Sequence, residues 1–141
     1  MSKGEVAQFP LNAIGQSILR KEDPTLLTGR GRYIADIALP GMLHAAFVRS
    51  PFAHAKIIHI DVSEAAALPG VELVWTGADT AQYTQGVAAG QNVEDYVHTH
   101  QPAIANDVVH FVGESVAVVV ATSRRVAEDA LELIDIDYEE L

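Results

Sequence analysis

The fifteen residues from Leu43 to Ile57, LHAAFVRSPFAHAKI, constrain the fold more than any other stretch of the chain. Leu43 to Val48 is an apolar run with the composition of a strand, and a second strand opens at Ala55. Between them, Pro51 cannot donate to a sheet ladder and biases Ser50 away from the helical region. The chain must break sharply at Arg49-Ser50-Pro51.

The rest reads outward from that break. Residues 1–19 carry scattered apolar positions without a clear period and are expected to run along a surface. Arg20 to Asp36 is punctuated by Pro24, Gly29 and Gly31, so it reads as loop with a short strand at Arg32 to Ile34. Pro40-Gly41 signals a turn ahead of the Leu43 strand. The β-branched KIIHIDV leads into Ser63, expected to cap a short helix over Glu64 to Leu68 that Pro69-Gly70 ends. VELVW (71–75) is a strand, and a helical turn fits Ala78 to Gln82. Residues 83–106 show no pattern, and structureless loops of that length tend to be functional or to build interfaces.

Order returns at DVVHFVGESVAVVVA, with Gly113 marking a turn. Val116 to Ala121 is the continuous apolar run of a strand covered on both faces. Ser123 caps a helix to about Leu133 that buries Val126, Ala130 and Leu133, although Arg124 and Arg125 sit in a first turn that disfavours cations. Ile134, Ile136 and Tyr138 then alternate with acidic residues, as in a strand with one wet face. The fold class is α+β, a mixed sheet packed by two main helices.

Composition narrows the function. The chain of 141 residues carries a net charge of −10, and nucleic-acid binding needs a basic face, so that class is excluded. No apolar run approaches the ~20 residues of a membrane span, and no secretory signal opens the chain. With no cysteine there is neither a disulfide framework nor iron–sulfur ligation, and the cytoplasm is the expected compartment. Six of the nine basic residues precede position 50, while seven acidic residues crowd the last fourteen positions. That acidic end is either a solvated face or a surface that meets a basic patch.

Candidate chemistry is sparse. His98, His100 and His110 invite a metal, but zinc wants three or four donors and the chain offers no thiolate. Ser50 and His54 could pair as nucleophile and base. However, no nucleophile elbow surrounds Ser50 and nothing fixes a third member, so His54 is expected to support the turn. Gly29-Arg30-Gly31 lacks the third glycine and the flanking strand and helix of a dinucleotide loop. Glu114 is a lone carboxylate beside a buried strand, open to pairing with an arginine or to a place at a domain boundary. Glu22 and Asp23 before Pro24 read as turn chemistry. No residue is assigned a catalytic, cofactor-binding or metal-binding role.

Four blocks in order carry a resemblance: RKEDPTLLTGRGRYIADI (20–37), GMLHAAFVRSPFAHAKI (41–57), IDVSEAAALPGV (60–71), and the stretch from Gln101 to Leu141. Together they resemble the amino-terminal α/β hammerhead domain of the molybdenum-binding large subunit in the xanthine dehydrogenase, aldehyde oxidase and aerobic carbon monoxide dehydrogenase family. The resemblance implies an extension over residues 1–19 and a hammerhead over residues 20–141.

It also implies an oxidoreductase in which this part is structural. The hammerhead would pack against later molybdopterin-binding domains that hydroxylate substrate with water as oxygen source. The parent would use molybdopterin or molybdopterin cytosine dinucleotide, with 2Fe–2S clusters and FAD on other subunits or domains. The family's catalytic and cofactor positions have no counterparts here, so this chain alone is expected to be inactive. It would be either an excised domain or a split-gene subunit. The alternative is a free-standing binding or assembly module built on the hammerhead fold, without redox chemistry. An enzyme in its own right would need a catalytic cluster that these residues do not provide.

Overall fold

The computed structural model describes residues 14–90 and 93–141. The chain divides into two compact units, Met1–Leu39 and Pro40–Leu141.

In the first unit, α1 (Asp23–Leu27) starts with Pro24 in its first turn, where a missing N–H costs nothing. It stops at Gly29, whose φ of +67° is the left-handed conformation. The Gly29 amide donates to Leu26 O at 3.1 Å and the Arg30 amide to Thr25 O at 2.9 Å, the paired bonds of a Schellman stop. Gly29-Arg30-Gly31 therefore ends a helix. The strand expected at Arg32 to Ile34 is instead a 3-10 turn over Ile34–Asp36, because the Asp36 carboxylate accepts the Tyr33 amide at 2.9 Å and closes the backbone.

The second unit holds the strands. β1 (His44–Arg49), β7 (Ser115–Ala121) and β3 (Val71–Thr76) form one sheet in the order β1-β7-β3. β6 (Val108–Val109), β2 (Ala55–Asp61) and β8 (Asp135–Glu140) form a second, in the order β6-β2-β8. β4 (Val87–Ala89) and β5 (Thr99–Gln101) pair as a hairpin, with Ala88 opposite His100. The α+β hammerhead class holds, but all these pairings are antiparallel, and the strands make three sheets where one mixed sheet was expected. Two breaks cause the division. Pro51 passes the chain from β1 to β2, and Gly113, at φ +91°, passes it from β6 to β7.

The two breaks are tied to each other. The Ser50 amide donates to Glu114 O at 2.8 Å, and the Gly113 amide donates to Ser50 O at 2.8 Å. Arg49 Nη1 donates to Gly113 O at 2.9 Å and to Ser115 Oγ at 3.2 Å.

Two apolar clusters follow from two sheets. Ala65, Val119 and Ala130 centre one, where α2 (Ser63–Ala67) and α4 (Arg124–Leu131) cover the β1-β7-β3 sheet. Ala55, Ala105, Val109 and Val116 centre the other, with Phe52, Ile57, Ile60, Ile136 and Tyr138 packed against them. β7 serves both, so Val116, Ala117, Val119 and Ala121 are all fully buried, as its unbroken apolar run requires.

Local chemistry sets the helix ends. Ser123 caps α4 by accepting the Val126 amide at 3.2 Å. Arg124 and Arg125 are tolerated in the first turn because they reach Glu128 and Asp129 one turn later, at 2.7 and 3.7 Å. α2 differs from expectation, since Ser63 is its first residue and Val62 its N-cap. The Ser63 amide donates to Asp61 Oδ1 at 2.9 Å, so Asp61 satisfies a first-turn N–H from before the helix and Ser63 is drawn inside it. A helical turn, α3 (Gly77–Thr80), follows β3 and is closed by Asp79, which accepts from Thr76 Oγ1 and the Thr76 amide at 2.9 and 2.8 Å.

Candidate functional site

Where the two breaks meet, the chain leaves a cleft of about 450 Å³. β5 supplies one wall with Thr99, His100 and Gln101, continued by Pro102. The turn from β6 to β7 supplies the other with His110, Phe111 and Glu114. Apolar and polar walls alternate around one charged group.

That group is Glu114, whose side chain is 5% exposed. Its position follows from the fold: Gly113 turns the chain, and Glu114 is the last residue before β7 enters the core. Oε2 accepts the His110 amide at 2.6 Å, and His110 Nδ1 stands 3.6 Å away. The His110 ring stacks on His54, with centroids 6.0 Å apart.

The structure separates the other residues singled out in the sequence. His98 packs edge-on against Tyr96, centroids 5.3 Å apart, while His100 and His110 line the cleft. Among the described residues no group of three His, Asp or Glu side chains is arranged to hold a metal. Ser50 Oγ accepts the Phe52 amide and donates to Phe52 O, both at 3.0 Å, so the hydroxyl closes its own turn and makes no nucleophile pair with His54. His54 ties to other elements instead of the turn: its carbonyl accepts the Leu141 amide at 3.0 Å and its ring stacks on His110. Asp23 lies 3.6 Å from Arg20 Nε on the surface of α1, in keeping with turn chemistry.

Sequence reasoning missed Tyr138 beside this site. Its ring lies 5.1 Å from Phe52, and its buried hydroxyl has no hydrogen-bond partner of good geometry. Burial pushes the Tyr138 phenol above its ordinary value, opposed in part by the nearby Ser50 hydroxyl. The alternation of Ile136 and Tyr138 marks both as inward-facing, but no sequence signal shows that Ser50 is committed to Phe52. Glu114 was legible as a carboxylate beside a buried strand, though its cleft was not, because half of that cleft comes from the hairpin in residues 83–106.

Among the described residues that line the cleft, Glu114 is the one carboxylate, and a backbone amide holds it. The chain has no cysteine, and its described histidines and carboxylates make no donor set, so these residues do not fit an iron–sulfur cluster. No helix among the described residues is long and apolar enough to cross a membrane.

Comparison with known proteins places the domain. Residues 28–141 match the family profile described as aldehyde oxidase and xanthine dehydrogenase, a/b hammerhead domain. The nicotine 6-hydroxylase large subunit of Paenarthrobacter nicotinovorans is 52% identical over 92% of this chain and 16% of its own length. The carbon monoxide dehydrogenase large chain of Afipia carboxidovorans is 42% identical over 93% of this chain and 16% of its own. Among solved structures, quinoline 2-oxidoreductase from Pseudomonas putida 86 superposes with a TM-score of 0.84 at 63% identity, covering 92% of this chain and 16% of that one. The chain thus spans about one-sixth of the length of the relatives it matches. By fold and by sequence, it belongs to the aldehyde oxidase and xanthine dehydrogenase α/β hammerhead family.

Proposed function

We propose that residues 20–141 act as the non-catalytic hammerhead domain of a molybdenum hydroxylase large subunit, with residues 1–19 as an extension. One observation carries the reading: the likeness to the nicotine 6-hydroxylase and carbon monoxide dehydrogenase large subunits runs over more than nine-tenths of this chain, yet that is only 16% of either. The chemistry then belongs to the remainder. The hammerhead packs against molybdopterin-binding domains, and partner subunits or domains carry the 2Fe–2S clusters and FAD. The molybdenum cofactor, when bound there, supplies hydroxylation with oxygen from water. The residues described here frame that assembly and touch no reacting atom.

The parent's substrate is an N-heteroaromatic ring. Support comes from two relatives above half identity, a nicotine hydroxylase at 52% and a quinoline oxidoreductase at 63%, against 42% for a carbon monoxide dehydrogenase.

The test is recovery of the native polypeptide with an antibody raised against this domain. The expected product carries molybdenum, co-purifies with flavin and iron, and oxidises quinoline or nicotine in preference to carbon monoxide. A molybdenum-free polypeptide near 15.1 kDa, binding on its own, would instead establish the free-standing module.

A further inference from the structure

We infer that the Glu114 cleft is a socket for an arginine side chain supplied by the domains that follow in the molybdenum subunit. The inference rests on the functional reading above. Glu114 is almost wholly buried; Oε2 accepts the His110 amide at 2.6 Å, and Nδ1 of the solvent-open His110 ring stands 3.6 Å from the same oxygen. The ion pairs of Arg20, Lys56, Arg124 and Arg125 go to other carboxylates. Arg49, beside it in the fold, directs Nη1 at Gly113 O and Ser115 Oγ. A buried carboxylate is costly unless a permanent counter-charge reaches it, which a guanidinium provides and an imidazole does not.

The cleft fits one kind of counter-charge. Pro102 and Phe111 give it apolar walls, and Gln101, His100 and Glu114 place polar groups between them. A planar guanidinium stacks on such walls and directs five donors at carboxylate, amide and imidazole acceptors together. An ammonium group satisfies the charge but not the flat walls. A second copy of this chain is disfavoured as the occupant, since each copy carries a net charge of −10. The five-sixths of each relative that lies outside the match is the natural source of the arginine.

The test uses the native complex, with Glu114→Gln introduced into its gene. Glutamine keeps the length and the acceptor for the His110 amide and removes the charge. Exposed arginines are modified with p-hydroxyphenylglyoxal, and the peptides are mapped by mass spectrometry. In the wild-type complex one arginine outside residues 1–141 is expected to be protected, and its modification rate should rise about tenfold in E114Q while the complex stays intact on size exclusion. An unchanged map in an intact E114Q complex overturns the socket and leaves the functional reading standing. If E114Q fails to assemble, Glu114→Asp retains the charge but withdraws it. The same arginine must then become more reactive, and an unchanged rate overturns the socket. A wild-type chain that co-purifies with no molybdenum polypeptide overturns both readings.

Discussion

Strand β7 and the β4–β5 hairpin lie in one unit and are built on opposite terms. β7 is covered on both faces and bonded on both edges, with Val116, Ala117, Val119 and Ala121 at zero exposure. The hairpin has three-residue strands, all of β5 is exposed, and Val87, Val93 and Val97 stand open to solvent. Two-stranded ribbons of that kind are marginal in water. The contrast teaches that the chain's own packing closes β7 on every side and leaves the hairpin open to solvent. On the proposed function, a partner surface completes the hairpin and the Glu114 cleft it helps to form.

The comparison breaks most decisively at Val119. Val119→Asp would place an unpaired charge where both sheet neighbours and both helices exclude water, at a cost of roughly 4–5 kcal/mol. No cooperative urea transition is expected, and a folded variant would show that β7 does not carry the fold. Ser123→Ala removes the α4 cap and should lower stability by about 1 kcal/mol, read from the urea midpoint at unchanged slope.

Tyr138 sharpens the picture through pH. Its raised phenol means that the folded chain holds the proton more tightly than the unfolded one. Its contribution is therefore fully present below the unfolded tyrosine value of about 10 and is lost as pH rises through the higher folded value. Tyr138→Phe should leave neutral-pH stability within about 0.5 kcal/mol, since the hydroxyl has no partner, and should shallow the alkaline loss. A steep loss in both proteins would assign it to another group. The smallest effect belongs to the hairpin: Val97→Ser, at a 77% exposed position, should shift the melting of the 141-residue chain by less than about 0.5 kcal/mol. A larger shift would mean that the hairpin supports the core.

The same contrast explains what could be read from sequence. β1, β2, β3, β7, β8 and α4 were legible within a residue or two, because each has a strong apolar period or a clear break beside it. The hairpin was not legible, since strands that bury nothing leave no alternation to detect. α1 was hidden because it is only five residues long and none of them is buried. The division into separate sheets was also hidden, because pairing partners such as Phe47 and Val118 are distant in sequence and either strand order satisfies local propensity. At the site, Glu114 and His110 could be named, but their meeting with His100 across the cleft depends on the unseen hairpin.

The most direct test is amide hydrogen exchange, measured on the 141-residue chain alone and on the native molybdenum-containing complex. In the chain alone, the amides of Ser115–Ala121 should exchange only through global unfolding, while those of Val87–Ala89 and Thr99–Gln101 exchange almost as fast as unstructured peptide. In the complex both sets should be protected. Hairpin amides equally slow in the chain alone, or equally fast in the complex, would contradict the claim that this edge is completed by a partner.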